Sequence, residues 1–350
     1  MLLKEFRGVS FIDRDREIEF FLDYFKGNPE RILWIYGPKS TGKTTLIEYV
    51  VENYLMKSNE YNVKYINFRR SIVTNYDTFL NSFIKPRDDK FFNKLDIKLR
   101  LGFIQIDTDL YKKIEKKELD LFDGVKKEFL EISKNRKNIL IIDEIQTLED
   151  IYLNGGKLLL NEFLNFCVRL TKELHISHVL ILTSNTIFLE EIYDNAKLKA
   201  TSSFKLIEHI DKEDVITWLN SLNSKLITQN SSLIYDYLGG HIGRIKKLLD
   251  EYKSFNSIKE YLENEVELAY SEIANLLMGN KKDIYLKPLK DIVKDILQNG
   301  YFLNDFEYPK EYLDTIKYFS EREILFYNPA NRKVTANSKI YEKAFERLSE

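Results

Sequence analysis

The first two-thirds of the chain alternates short apolar runs with amphipathic stretches. Runs at 31–36, 63–68, 138–142, 178–183 and 204–207 are apolar at nearly every position, not at every second one, which predicts strands buried on both faces. Between them, Leu46, Val50 and Tyr54 recur at four-residue spacing within 44–56. Leu159, Phe163, Phe166 and Leu170 form a similar stripe within 156–174. One apolar stripe on a 3.6-residue period predicts a helix. Strands alternating with helices predict an α/β fold with a parallel sheet covered on both sides. The segment 71–136 reads mostly helical, with alternation at 97–108 that predicts a hairpin.

From about Asp211 the strand signal fades, and helices are predicted at 212–222, 232–238, 243–252 and 257–278. Gly239-Gly240 interrupts this set and Gly279-Asn280 closes it. Further helices are predicted at 284–298 and 309–320, the second opened by Pro309. Short runs at 324–327 and 333–335 then flank the turn Asn328-Pro329-Ala330-Asn331, and 338–348 reads as a last helix. Helices followed by a hairpin predict a winged-helix unit. The expected division is a nucleotide-binding α/β domain at 1–210, a helical lid at 211–280 and a winged-helix-like domain at 281–350.

Composition excludes several classes. With 44% hydrophobic residues, 13 Gly and 6 Pro in 350 residues, the chain is neither disordered nor collagenous. Its one cysteine, Cys167, excludes a disulfide framework and a cysteine zinc site, and reads as a core residue. His175 and His178 share no helix face that would suit a metal. No run approaches the roughly 18 apolar residues of a membrane span. The opening MLLKEFRGVSF lacks the apolar core of a secretory signal, so a cytoplasmic location is expected. Lys and Arg number 53 against 55 Asp and Glu, which excludes a cationic coat for nucleic acid.

The sharpest chemistry lies at Gly37-Pro38-Lys39-Ser40-Thr41-Gly42-Lys43-Thr44, followed by Thr45. This is G-x-x-x-x-G-K-T between a predicted strand and a predicted helix, the context that a phosphate-binding loop requires. Glycines let the backbone curl so that successive N–H groups face phosphate, and the helix N-terminus adds positive potential. Lys43 can reach the β- and γ-phosphates, and the Thr44 hydroxyl can ligate Mg²⁺. Downstream, the apolar run 139–142 ends in Asp143 and Glu144. Asp143 suits Mg²⁺, and Glu144 suits a general base for an attacking water. Leu182-Thr183-Ser184-Asn185 ends another strand, where Ser184 or Asn185 can sense the γ-phosphate.

In these residues the chain resembles the archaeal ATPase family, a branch of the AAA+/STAND-like P-loop ATPases. Phe11-Ile12-Asp13-Arg14-Asp15-Arg16-Glu17 is similar to the F-x-x-R-x-x-E element that borders the adenine, which implies a binding role for Arg14. The phosphate loop, the acidic motif ending at Gln146 and the LTSN run follow in family order. Leu238-Gly239-Gly240-His241-Ile242-Gly243-Arg244 is similar to the glycine-pair motif of the lid, which implies a phosphate-sensing role for Arg244. The resemblance implies an AAA+-like parallel core with a helical lid and winged helix, ATP and Mg²⁺ as cofactors, and hydrolysis. Two positions depart from the pattern. The Gly-Arg expected before the fifth strand is replaced by 195–202, where Lys197 or Lys199 would substitute without arginine's planar fork. The lid proline is Ile242.

Three readings remain open at this level. The first is a Mg²⁺-dependent ATPase whose nucleotide state moves the lid and winged helix. The second is a slow nucleotide switch, holding ATP or ADP, whose output is an unidentified protein partner. The third is an ATP-dependent DNA-binding protein. Charge lends DNA little support: 282–350 holds 12 basic and 12 acidic residues, leaving Arg332 and Lys333 as the main candidates. A neighbouring copy in a homo-oligomer would be one source of the missing arginine.

Overall fold

Five strands carry the apolar runs of the first half: β3 (Ile32–Tyr36), β4 (Tyr61–Asn67), β7 (Lys137–Asp143), β8 (Ser177–Leu182) and β9 (Ser202–Leu206). They form one sheet in the order β4-β7-β8-β3-β9, and every pairing is parallel. The computed structural model describes all residues except 1–3, 7–8, 12–13, 71, 89–100, 153–157, 195, 223, 306 and 350.

Side chains alternate across each strand, so consecutive apolar residues supply two cores. Leu33, Ile35, Val63, Tyr65, Ile139, Ile141, Leu180 and Leu182 face one side. There they meet helices α1 (Asp15–Lys26) and α2 (Lys43–Val50), the latter continued by a π-turn at Val51–Leu55. Ile32, Trp34, Ile66, Leu140, Ile142, Val179 and Ile181 face the other, with helix α5 (Leu121–Ser133) and helix α6 (Leu159–Val168). Cys167 is fully buried there.

The remaining elements of this half are the pair β1 (Lys4–Phe6) and β2 (Val9–Phe11), helix α3 (Tyr76–Phe83), strands β5 (Ile84–Pro86) and β6 (Ile104–Ile106), helix α4 (Thr108–Glu115), and helices α7 (Thr186–Asp194) and α8 (Ala196–Ala200). The expected hairpin at 97–108 is not what the described part of that segment forms. β6 pairs in parallel with β5, a strand some twenty residues earlier, and Asp107 caps α4; positions 97–100 lie outside the described residues.

Helices α9 (Lys212–Ser221), α10 (Lys225–Leu238), α11 (Ile242–Glu251) and α12 (Ile258–Leu276) follow. α10 begins earlier than its apolar stripe suggests, with the Ser224 hydroxyl accepting the Ile227 N–H. The chain ends with α13 (Asn280–Asn299), β10 (Phe302–Leu303), α14 (Lys310–Ser320), β11 (Leu325–Asn328), β12 (Lys333–Ala336) and α15 (Lys339–Ser349). β10, β12 and β11 make a small antiparallel sheet in that order. Val215, Ile245, Leu262, Ile273, Ile292, Ile316, Val334 and Ile340 belong to one continuous apolar cluster, so the elements from α9 onward share a core, which Ile187 of α7 joins, while Phe326 of β11 packs instead into the α/β core. None of the described helices is long and apolar enough to cross a membrane.

Candidate functional site

The site is built where β3, β7 and β8 end. β3 delivers Gly37 into the loop at φ +150, and a Cβ there would lie 2.1 Å from the Ile207 carbonyl oxygen, so the loop and the end of β9 fit only without a side chain. α2 starts at Lys43, putting its N-terminal N–H groups at the loop. Thr41 is fully buried, and Pro38 and Lys43 are buried beside it, whereas Thr45 is exposed. The Lys43 ammonium donates to the carbonyls of Gly37 (2.9 Å) and Pro38 (2.8 Å). Burial pushes it down to about 8, against the opposing pull of Asp143, Glu144 and Glu323.

Arg14 braces the loop from outside. One guanidinium nitrogen donates to the Thr41 carbonyl (2.9 Å) and the Glu208 carbonyl (2.8 Å), and the other pairs with Glu17 at 2.8 Å. The R-x-x-E spacing therefore brings the carboxylate one helical turn onto the arginine that ties the loop to the Glu208 carbonyl. Ile12 and Asp13 lie outside the described residues.

Asp143 and Thr44 meet: the Thr44 hydroxyl donates to Asp143 Oδ2 at 3.2 Å. The same oxygen accepts from the Tyr65 hydroxyl (2.8 Å) and the Asn67 side-chain amide (3.1 Å), both on neighbouring β4. Sequence reasoning missed this pair, although register shows it: Asn67 is the partner of Asp143, and Tyr65 stands two residues back on the same face. Burial raises the Asp143 carboxyl above its ordinary range, and the bonds from Tyr65 and Thr44 pull it back. A hydroxyl beside a desolvated carboxylate fits Mg²⁺, which takes one or two protein oxygens together with phosphate and water. Among the described residues no group of three or more His, Cys, Asp or Glu could hold a metal alone.

Glu144 adopts a left-handed backbone (φ +62, ψ +45) and turns away from the β7 axis. Both of its carboxylate oxygens are engaged. Oε1 lies 2.8 Å from an Arg69 guanidinium nitrogen, and Oε2 accepts from the Gln146 amide at 2.6 Å. Asn185 is occupied differently again: its Oδ1 accepts the N–H groups of Ile187 and Phe188, at 3.1 Å each, capping α7. Ser184 is half-buried at the same strand end.

The glycine-pair motif sits directly on the loop. A Cβ on Gly243 would lie 2.9 Å from Ser40 Oγ, one on Gly42 3.3 Å from Ile242, and one on Gly240 1.9 Å from the Ile210 oxygen. His241 caps α11, its Nδ1 accepting the Arg244 N–H (3.1 Å), and its ring stacks on His209. The Arg244 side chain turns to the C-terminal half, 3.4 Å from Glu265 and over the Tyr341 ring at 5.1 Å. Lys199 is exposed and lines a cleft with Glu190 and Arg332, while Lys197 has no described side chain. Lys39, exposed on the loop, pairs with Glu323 at 2.6 Å.

A model of an ATPase domain predominantly from Archaea matches residues 11–248. The uncharacterized ATP-binding protein MJ0147 of Methanocaldococcus jannaschii is 31% identical over 97% of this chain and 98% of its own. MJ0801 of the same organism, also an uncharacterized ATP-binding protein, is 30% identical over 97% and 100%. The Walker-type ATPase PABY2304 of Pyrococcus abyssi shares the fold, with a TM-score of 0.61 at 14% identity over 96% of both chains. With two-thirds of its length matched and its motifs in order, the chain belongs to the archaeal ATPase domain family.

Proposed function

We propose that the chain binds ATP and hydrolyses it to ADP and phosphate with Mg²⁺, and that nucleotide state shifts the lid and a C-terminal winged-helix unit against the α/β core. The observation that carries this reading is the Thr44–Asp143 contact at 3.2 Å beside the loop and Lys43. The three-part division at 210 and 280 belongs to the same proposal. Loop N–H groups and Lys43 hold the phosphates, and Thr44 and Asp143 hold Mg²⁺. Bound there, the metal neutralises charge on the phosphate oxygens. Glu144 takes the proton of the attacking water. Ser184 and Asn185 border the γ-phosphate, and Arg244 reaches it only after leaving Glu265.

The engaged oxygens of Glu144 support slow turnover, and so favour the second reading, a switch that waits for a partner. Against DNA, α14 is packed on α7, where Lys317 lies 3.6 Å from Glu190 and the Tyr327 hydroxyl donates to the same carboxylate. A helix used in this way does not offer its face to a groove. Single-turnover hydrolysis with Mg²⁺ across protein concentration, wild type beside Glu144→Gln, tests the proposal. A rate that drops about a hundredfold in the variant supports it. ATP that stays bound and uncut in both identifies a switch, and a rate rising with concentration identifies self-assembly.

A further inference from the structure

Glu323 takes no part in that chemistry, yet its carboxylate stands at the phosphate loop. α14 ends at Ser320, and the chain reverses with the Glu323 N–H donating to the Ser320 carbonyl and the Ile324 N–H to the Phe319 carbonyl, both at 3.0 Å. Glu323 holds φ +61 in this turn, the left-handed conformation usually filled by glycine at a helix end. The turn is pinned from the other side. Phe326 is buried in the α/β core, and the Tyr36 hydroxyl donates to Asn328 Oδ1 at 3.0 Å. So fixed, Glu323 Oε1 lies 2.6 Å from Lys39 Nζ, and its charge is felt at the buried Lys43 ammonium.

The side chains of Lys39 and Glu323 are each about half exposed, so the pair itself adds little stability. Its position matters more than its strength. Lys43 is the residue that reaches the β- and γ-phosphates. A carboxylate held at Lys39 of the same loop is tolerable to a diphosphate and repels a third phosphate.

We propose that Glu323 sets the nucleotide preference of the site, favouring ADP over ATP, and that a γ-phosphate enters by breaking the Lys39–Glu323 pair. This rests on the nucleotide-binding reading above. Equilibrium binding of ADP and of a non-hydrolysable ATP analogue to the full chain tests it, with wild type, Glu323→Gln, Glu323→Gly and the control Glu321→Gln. The ratio of the analogue Kd to the ADP Kd should fall about tenfold in both Glu323 variants, the effect of removing one close like charge. It should be unchanged in Glu321→Gln, and ADP affinity should move less than twofold. Glu323→Gly, relieved of the left-handed strain, should melt no lower than wild type, which separates charge from folding. One common ratio in all four proteins overturns the assignment of Glu323 while leaving nucleotide binding intact. Binding of neither nucleotide by any of them overturns both.

Discussion

Arg69 and Glu144 form an ion pair of 2.8 Å in which the acid is largely covered, at 15% exposure, and the base is largely open, at 68%. The covered partner is the one proposed to activate water. The open one stands where a second molecule can reach it. The pair therefore links the proposed base to a residue open to solvent.

Replacing Arg69 with Ala should raise turnover. An exposed charge-assisted contact is worth about 1 kcal/mol, so single-turnover hydrolysis should accelerate about fivefold. Nucleotide affinity should stay level. A slower Arg69→Ala would mean that Arg69 assists the reaction.

Tyr65→Phe should raise the Mg²⁺ concentration needed for tight nucleotide binding by about tenfold, the usual cost of removing a partner behind a metal ligand. The lost donor also leaves Asp143 Oδ2 with fewer bonds in a buried setting, which should cost about 1 kcal/mol in denaturant unfolding. A Mg²⁺ titration of nucleotide affinity separates the two effects.

Gly240→Ala should damage the packing of the glycine pair on Ile210 without touching the phosphate loop. Its new Cβ would lie 1.9 Å from the Ile210 oxygen and 2.5 Å from the Ile210 nitrogen, both backbone atoms that cannot swing aside. A loss of about 3 kcal/mol or more is expected, read as a lowered unfolding midpoint.

Acid should weaken the fold through its buried imidazoles. Burial pushes His241 down to about 3, with the neighbouring His209 and Arg244 adding to the effect, and burial pushes His178 down to about 4. The unfolded chain takes up these protons near pH 6.5, before the folded chain does. Stability should thus be full above about pH 6.5 and fall as pH drops toward the folded values. In His241→Asn, which keeps a capping oxygen, thermal midpoints should decline less between pH 7 and 4. An identical decline would assign the acid sensitivity to other groups.

What was legible in the sequence was local. The five strands and the strand–loop–helix context of Lys43 rest on neighbouring residues, and they appear where the pattern puts them, with β4 and β9 only partly buried. Contacts between distant segments were not legible. Nothing near 97–108 says that Ile104–Ile106 pairs with Ile84–Pro86, because alternation fixes a strand's faces and not its partner. Tyr65 reads as one more core aromatic until strand register sets it beside Asp143. Nothing in the run LTSN tells that the Asn185 side-chain oxygen also caps α7. Glu323 reads as one charge among many until Phe326 fixes the turn that carries it to Lys39.

The apolar cluster that gathers residues from Val215 to Phe345, together with Ile187 of α7 and Ile210, has a mechanical consequence. Helices α9 to α12 and the small sheet beyond them cannot separate without exposing that cluster to water. A movement of the kind proposed would have to carry them together, joined to the α/β core by the chain between Ile207 and Asp211, where Arg14 grips the Glu208 carbonyl. Because β11 is also seated on the α/β core, through buried Phe326 and the Tyr36–Asn328 bond, any such movement would have to uncover Phe326, and the cost of wetting that one ring would set a threshold below which these elements stay still.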